Sequence, residues 1–254
     1  MKKKHINIIG WYGKNNAGDE AFRHVFQTKI FPDKELIFTT GEDWRPGGRT
    51  IIGGGDVVHK FYTRHLPEGT TVELLGVGLG NYAEATEALK HLKVKSAVVR
   101  SKADAEFLKC KYAPDLVLQH LEPVEAERTE KVGICLSGWR DENMVARNII
   151  KEIGRENIVW ISLCNDANHN DVAMNENFVR VFGGEHWFGG STEDYLKYFG
   201  KLKMLYTSRL HSMIFADIQN TPFVQVSKAK KFYDYLADQD RLHLLKDYSS
   251  SSGV

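Results

Sequence analysis

An arginine and a histidine two residues apart, within Thr207-Ser208-Arg209-Leu210-His211-Ser212, are the side chains of this chain best suited to chemistry. A short apolar run ending at Tyr206 precedes them, and a helical pattern follows. Strand, polar turn, helix is where a parallel α/β sheet keeps its anion sites, because the first N–H groups of the helix and its positive dipole end point at whatever lies there. Arg209 can clamp an anion with its planar fork, and His211 can move a proton. The helix dipole favours the neutral imidazole, the form that accepts a proton. Both residues have plainer roles open to them: a salt bridge for Arg209, packing at a helix start for His211.

A second group of candidates lies near the beginning of the chain. His5–Ile9 forms a short apolar strand that runs into Gly13-Lys14-Asn15-Asn16-Ala17-Gly18-Asp19-Glu20, and a helix with Phe22, Val25 and Phe26 on one face comes next. This loop carries neither the dinucleotide fingerprint nor a phosphate loop ending in Gly-Lys-Ser/Thr. Asp19 and Glu20 fit a capped helix start with dipole-matched charge, but the small residues around Gly18 also let a ligand approach the backbone. Gly53-Gly54-Gly55 ends a strand at 50–52, and Gly76-Val77-Gly78-Leu79-Gly80 ends another. Glycines at strand ends mean a sharp turn or a close approach of backbone to ligand. Arg100 stands at the carboxyl end of a strand at 96–99, on the rim where ligands bind in such sheets, and a surface salt bridge is its plainer role.

These groups need a frame to hold them. Strands and helices alternate twice along the chain, with a polar, proline-containing stretch at 120–130 between the two series. This predicts an α/β protein of two doubly wound Rossmann-like domains facing a cleft, residues 1–125 and 131–236, followed by a tail at 237–254. The bulk numbers agree with a globular chain of that size: 254 residues, 42% hydrophobic, 26% charged. A formal net charge of +1 argues against broad nucleic-acid binding. No apolar run is long enough for an integral membrane segment, and the cytoplasm is the default location. Three scattered cysteines and ten histidines show no metal-ligand spacing, so neither a metal nor a disulfide framework is expected.

Taken in order, these motifs resemble the polysaccharide pyruvyl transferase family. The resemblance rests on the loop Gly13 to Glu20, the glycines 53–55, the small-residue strand end 76–80, the pair Arg100-Ser101, the Ser208-Arg209-Leu210-His211 turn, and Pro222 with Lys230. It departs at Ser227, where a tyrosine three residues before the lysine is usual, so Lys228 or Lys231 could stand in for Lys230. The resemblance implies a GT-B-like fold and transfer of pyruvate from phosphoenolpyruvate to two hydroxyls of a sugar, giving a cyclic ketal and free phosphate. It implies no cofactor besides this donor substrate, and its partners are the donor and a sugar or glycan acceptor.

Phosphoenolpyruvate carries a carboxylate and a phosphate, so its site needs at least two cationic or N–H-rich clamps. Arg209 and Arg100 are the expected clamps, with Ser208, Lys230, Gly53, Gly54 and Gly78 around the donor. His211 is the expected proton carrier, with Asp19 or Glu20 as a second acid/base, and Asn16, Gly18 and Asp19 face the acceptor. Two other classes remain open at this stage. One is a glycosyltransferase that uses a nucleotide sugar. The other is a non-catalytic glycan-binding relative, in which Trp11, Tyr12, Trp139 or Trp187 would stack on sugars.

Overall fold

The computed structural model describes residues 5–137, 142–166 and 170–248. The chain forms two compact units: one holds the residues up to Gly13 together with Asp19–Leu121, the other holds Lys14–Gly18 and the residues from Glu122 onward. The short segment Lys14–Gly18 therefore packs with the second unit, although sequence order alone assigns it to the first. The two units meet in the chain at Leu121/Glu122, inside the polar stretch expected to link them.

In the first unit, β1 (Ile6–Ile9), β2 (Leu36–Thr39), β3 (Arg49–Gly55), β4 (Thr71–Val77), β5 (Lys93–Val99) and β6 (Lys111–Tyr112) make one sheet in the order β2-β1-β3-β4-β5-β6. All five pairings are parallel. A parallel sheet is covered on both faces, which is why β1 is an unbroken apolar run apart from the buried Asn7. The connections carry α1 (Ala17–Val25), α2 (Lys60–Thr63), α3 (Tyr82–Leu89) and α4 (Lys102–Leu108), and α5 (Leu116–His120) closes the unit. Residues 116–118, which the sequence shows only as an apolar run, are thus helical. Phe22 and Val25 of α1 are fully buried, as its period requires, and so is Phe26 in the π-helical turn that follows. Asn81 caps α3 and Ser101 caps α4 through their side-chain oxygens.

In the second unit, β7 (Val132–Cys135), β8 (Ile158–Ser162), β9 (Glu185–Phe188), β10 (Met204–Thr207) and β11 (Phe223–Gln225) form a parallel sheet in the order β11-β10-β7-β8-β9. Helices α6 (Glu142–Ile153), α7 (Asp171–Phe182), α8 (Thr192–Gly200), α9 (Leu210–Ile218) and α10 (Lys230–Ala237) connect and flank the strands. The core holds an aromatic cluster among aliphatic side chains: Trp160 packs against Phe178 at 4.8 Å and Phe182 at 5.9 Å between ring centroids. Ser191 and Asp194 close a capping box at the start of α8. Strand β9 was not expected from sequence; with only four residues it has too little alternation to stand out. Two further differences concern the ends of the unit. Arg128 of the linking stretch donates to the carbonyls of Leu202, Gln219 and Asn220, at 2.7, 3.2 and 2.7 Å, so the stretch is tied down. The residues after α10, read as a tail, also belong to the unit: Lys246 donates its backbone N–H to Gln225 at 2.8 Å, and Tyr248 is buried. Residues 249–254, the serine-rich end, lie outside the described residues.

A candidate active site in the second unit

The order β11-β10-β7-β8-β9 reverses direction between β7 and β10. At such a switch point the connections leave on opposite faces and open a crevice beyond the carboxyl ends of the two strands. Cys135 of β7 lies in register with Thr207 of β10, so the residues that follow each strand meet there. They are Ser137 on one side and Ser208, Arg209 and His211 on the other.

Local hydrogen bonds shape this turn. The Thr207 hydroxyl donates to the Cys135 carbonyl at 2.9 Å and accepts the Arg209 N–H at 2.9 Å. The Ser212 hydroxyl donates back to the Arg209 carbonyl at 2.6 Å. Arg209 is the N-cap of α9 with extended backbone, and no side chain caps the helix. The dipole end of α9 therefore faces the crevice without a side-chain acceptor, the arrangement that suits an anion.

Two carboxyls that sequence alone did not single out complete the cluster. Asp171, the first residue of α7, accepts the backbone N–H groups of Leu163 and Cys164 on Oδ2, at 3.2 and 3.0 Å, and the Arg209 guanidinium on Oδ1. Glu142, the first residue of α6, accepts the Ser137 N–H, the Ser137 hydroxyl and the Ser208 hydroxyl on Oε1, each at 3.3 Å. Burial pushes the Glu142 carboxyl above its ordinary range, against the pull of these donors and of Arg209. In the sequence both residues look like ordinary dipole-matched acids of a first helical turn. Only the sheet order brings them to Arg209, across 38 residues for Asp171.

The loop Lys14–Gly18 reaches the same place. Asn16 bridges Cys164 as an antiparallel pair, Ala17 donates to the Leu163 carbonyl at 2.8 Å, and Asn165 donates to the Asn15 carbonyl at 3.0 Å. The Asn16 side chain accepts the Gly18 N–H at 3.1 Å. This sets the Gly18 α-carbon on the His211 ring so closely that an added Cβ would stand 2.1 Å from Nδ1. The structure thus brings together Ser208, Arg209, His211, Asn16 and Gly18 of the expected site residues.

The other expected site residues have different surroundings. Lys230 starts α10 and pairs with Asp234 one turn on, while Lys228 pairs with Asp247 at 2.6 Å. In the first unit, Arg100 is almost fully buried and forms ion pairs with Asp56 at 2.7 Å and Asp115 at 3.1 Å. Gly78 lies against that pair: a Cβ there would stand 2.4 Å from Asp56 Oδ1 and 2.8 Å from Arg100 Nε. Gly53 and Gly54 face phenyl rings, with hypothetical Cβ distances of 2.7 Å to Phe26 and 2.6 Å to Phe22. Glu20 accepts the Gly13 N–H at 2.5 Å and meets Arg23 at 3.5 Å, whereas Asp19 Oδ1 lies 3.3 Å from where a Cβ on Gly55 would be. Tyr12 is buried, donates to the Gly53 carbonyl and meets Phe38 edge-on at 4.9 Å, so it serves packing and not sugar stacking. Trp11 packs on Phe61 and Tyr62, and Trp187 stacks on Tyr198 at 3.9 Å. Trp139 lies outside the described residues. Among the described residues, no group of three or more His, Cys, Asp and Glu could hold a metal ion. No helix among them is long and apolar enough to cross a membrane.

A family model described as polysaccharide pyruvyl transferase matches residues 16–227, which includes Asn16, Gly18 and the whole Arg209 turn. The chain belongs to the polysaccharide pyruvyl transferase family. Membership implies a transferase and points to pyruvyl transfer onto a glycan. No curated protein matches the chain. Among solved structures, an uncharacterized protein of Klebsiella pneumoniae subsp. pneumoniae is similar in fold, with a TM-score of 0.51 and 14% identity over 92% of this chain and 88% of that one. At that identity the likeness concerns the fold alone. Seen within the family, the crevice at the β7/β10 switch point is the candidate site for its transfer chemistry.

Proposed function

We propose that this protein transfers the pyruvyl group of phosphoenolpyruvate to two hydroxyls of a glycan or glycan precursor, forming a cyclic ketal and releasing inorganic phosphate. The observation that carries this reading is the meeting of Arg209, His211 and the uncapped start of α9 at the β7/β10 switch point, in a chain of this family. Arg209 and the first N–H groups of α9 hold the anionic donor. Arg100, committed to Asp56 and Asp115, is left as a structural cation of the first unit.

The chemistry needs proton transfers more than covalent help. A proton goes to C3 of the enol, and the first acceptor hydroxyl adds to C2 as its proton passes to a base. The C2–O bond to phosphate then breaks, and the second hydroxyl closes the ketal with loss of its proton. Over the whole reaction, two hydroxyl protons are released and one is used at C3; the other leaves with the phosphate. His211 takes the proton of the attacking hydroxyl and delivers one within the site. Asn16 and Gly18, on the loop that packs with the second unit, contact the acceptor. Donor and reaction belong to the same proposal, and so does a cytoplasmic location, where phosphoenolpyruvate is available.

Thermal unfolding with phosphoenolpyruvate and with a panel of nucleotide sugars tests the donor, since saturation at a hundred times Kd stabilises a fold by about 2.7 kcal/mol. A shift with phosphoenolpyruvate alone, followed by phosphate release on adding candidate glycans, is the expected result. A shift with nucleotide sugars alone refutes the proposal and points to a glycosyltransferase.

A further inference from the structure

Glu142 has no role in the steps above, yet it lies within the donor crevice. Its Oε1 collects three donors from Ser137 and Ser208, while its Oε2 is buried with no hydrogen-bond partner among the described residues. The neighbouring charge is already matched. Arg209 gives its guanidinium to Asp171, both of whose oxygens are served, one by Arg209 and the other by Leu163 and Cys164. An ionised Glu142 thus adds a negative charge that has no cation of its own among the described residues, at the place where an anionic donor must enter.

Resting on the donor assignment made above, we propose that Glu142 is a proton-linked specificity residue: the crevice accepts the anionic donor with Glu142 as the neutral acid, so donor binding takes up a proton there. Among the described residues, the groups that face this cluster are few. From the turn after β10 come Ser208, Arg209 and His211, and from α7 comes Asp171 on the far side of Arg209. From β7 and the end of β8 come Cys135 and Cys164, whose thiols burial pushes up to about 12 and keeps neutral. Burial raises both carboxyls; of the two, Glu142 takes the proton because its Oε2 has no partner among the described residues, whereas both oxygens of Asp171 are served. A neutral Glu142 also turns a repulsive group into a hydrogen-bond donor for a phosphate or carboxylate oxygen, through the Oε2 that has no partner among the described residues.

Titration calorimetry of the full chain with phosphoenolpyruvate, across the neutral pH range and in two buffers of different ionisation heat, tests this. The wild type is expected to take up about one more proton per donor than Glu142→Gln, and its affinity to fall about tenfold more per pH unit above the carboxyl's pKa. The donor's own phosphate titrates at about pH 6, so the reading is the difference between the two proteins. Equal proton uptake and equal slopes overturn the proposal and leave the donor assignment intact. Absence of binding at every pH in both proteins overturns the donor assignment and this proposal with it. Should Glu142→Gln not fold, the wild type alone decides: a slope no steeper than the donor's own ionisation overturns the proposal.

Discussion

The α-carbon of Gly18 rests on the imidazole of His211, so that a methyl group added at Gly18 would stand 2.1 Å from Nδ1. The loop is fixed on its other side by Ala17 and Asn165, which hydrogen-bond to the Leu163 and Asn15 carbonyls. The loop cannot retreat without losing these bonds. Gly18→Ala is therefore expected to displace the His211 ring, lower turnover by tenfold or more, and cost about 1–3 kcal/mol of stability. Steady-state kinetics and a melting curve check both; unchanged turnover would mean that the ring's place does not matter.

Arg209 and His211 are expected to fail in different ways. Arg209→Ala should raise KM for the donor as well as lower kcat, whereas His211→Ala should lower kcat with donor binding largely kept. Asp171→Ala leaves the Arg209 guanidinium buried without its carboxylate and should cost about 3–5 kcal/mol in denaturant unfolding. Equal losses of stability in the Arg209 and His211 variants, with no kinetic difference between them, would point to packing roles for both.

Arg100 is held by Asp56 and Asp115 with only 7% of its side chain exposed. Arg100→Ala should leave the buried Asp115 and the half-buried Asp56 uncompensated and cost about 3–5 kcal/mol, while an Arg100 variant that stays folded should keep its affinity for phosphoenolpyruvate. Loss of donor affinity in a variant of full stability would return Arg100 to the donor site.

Gly54 combines a φ of +74° with a phenyl ring 2.6 Å from where its Cβ would be. Gly54→Ala is expected to destabilise the first unit by more than the about 1 kcal/mol of a left-handed alanine alone, because Phe22 must move as well. Urea unfolding measures the difference. A change near zero would show that α1 shifts freely on β3.

The raised Glu142 carboxyl has a definite sign in stability. Its folded pKa lies above the unfolded one, so its contribution is fully present below the unfolded pKa and is lost as pH rises through the folded pKa. Glu142→Gln should therefore gain stability relative to the wild type as pH rises through that window, and the gap should close on acidification. Melting temperatures of both proteins across the acidic and neutral range test this. A gap that widens on acidification would contradict the assignment.

The sequence by itself determined the sequence-local parts of this protein. Apolar runs of four to seven residues and the period of α1 located most strands and helices, Ser101 and Ser191 announced their caps, and the ordered motifs from Gly13 to the Arg209 turn pointed to the family. Such signals arise within a window of a turn or a strand, where periodicity and capping act. The tertiary structure decided what crosses the sheets. The β7/β10 switch point set Ser137 and Glu142 beside Ser208, and placed Asp171 on Arg209. It also moved Lys14–Gly18 into the second unit, through bonds to Leu163 and Asn165 that are more than a hundred residues away in the chain. The same glycines that look in sequence like ligand loops were assigned in space to Phe22 and Phe26. Strand order and helix contacts depend on which distant surfaces bury each other, and no local period records that choice.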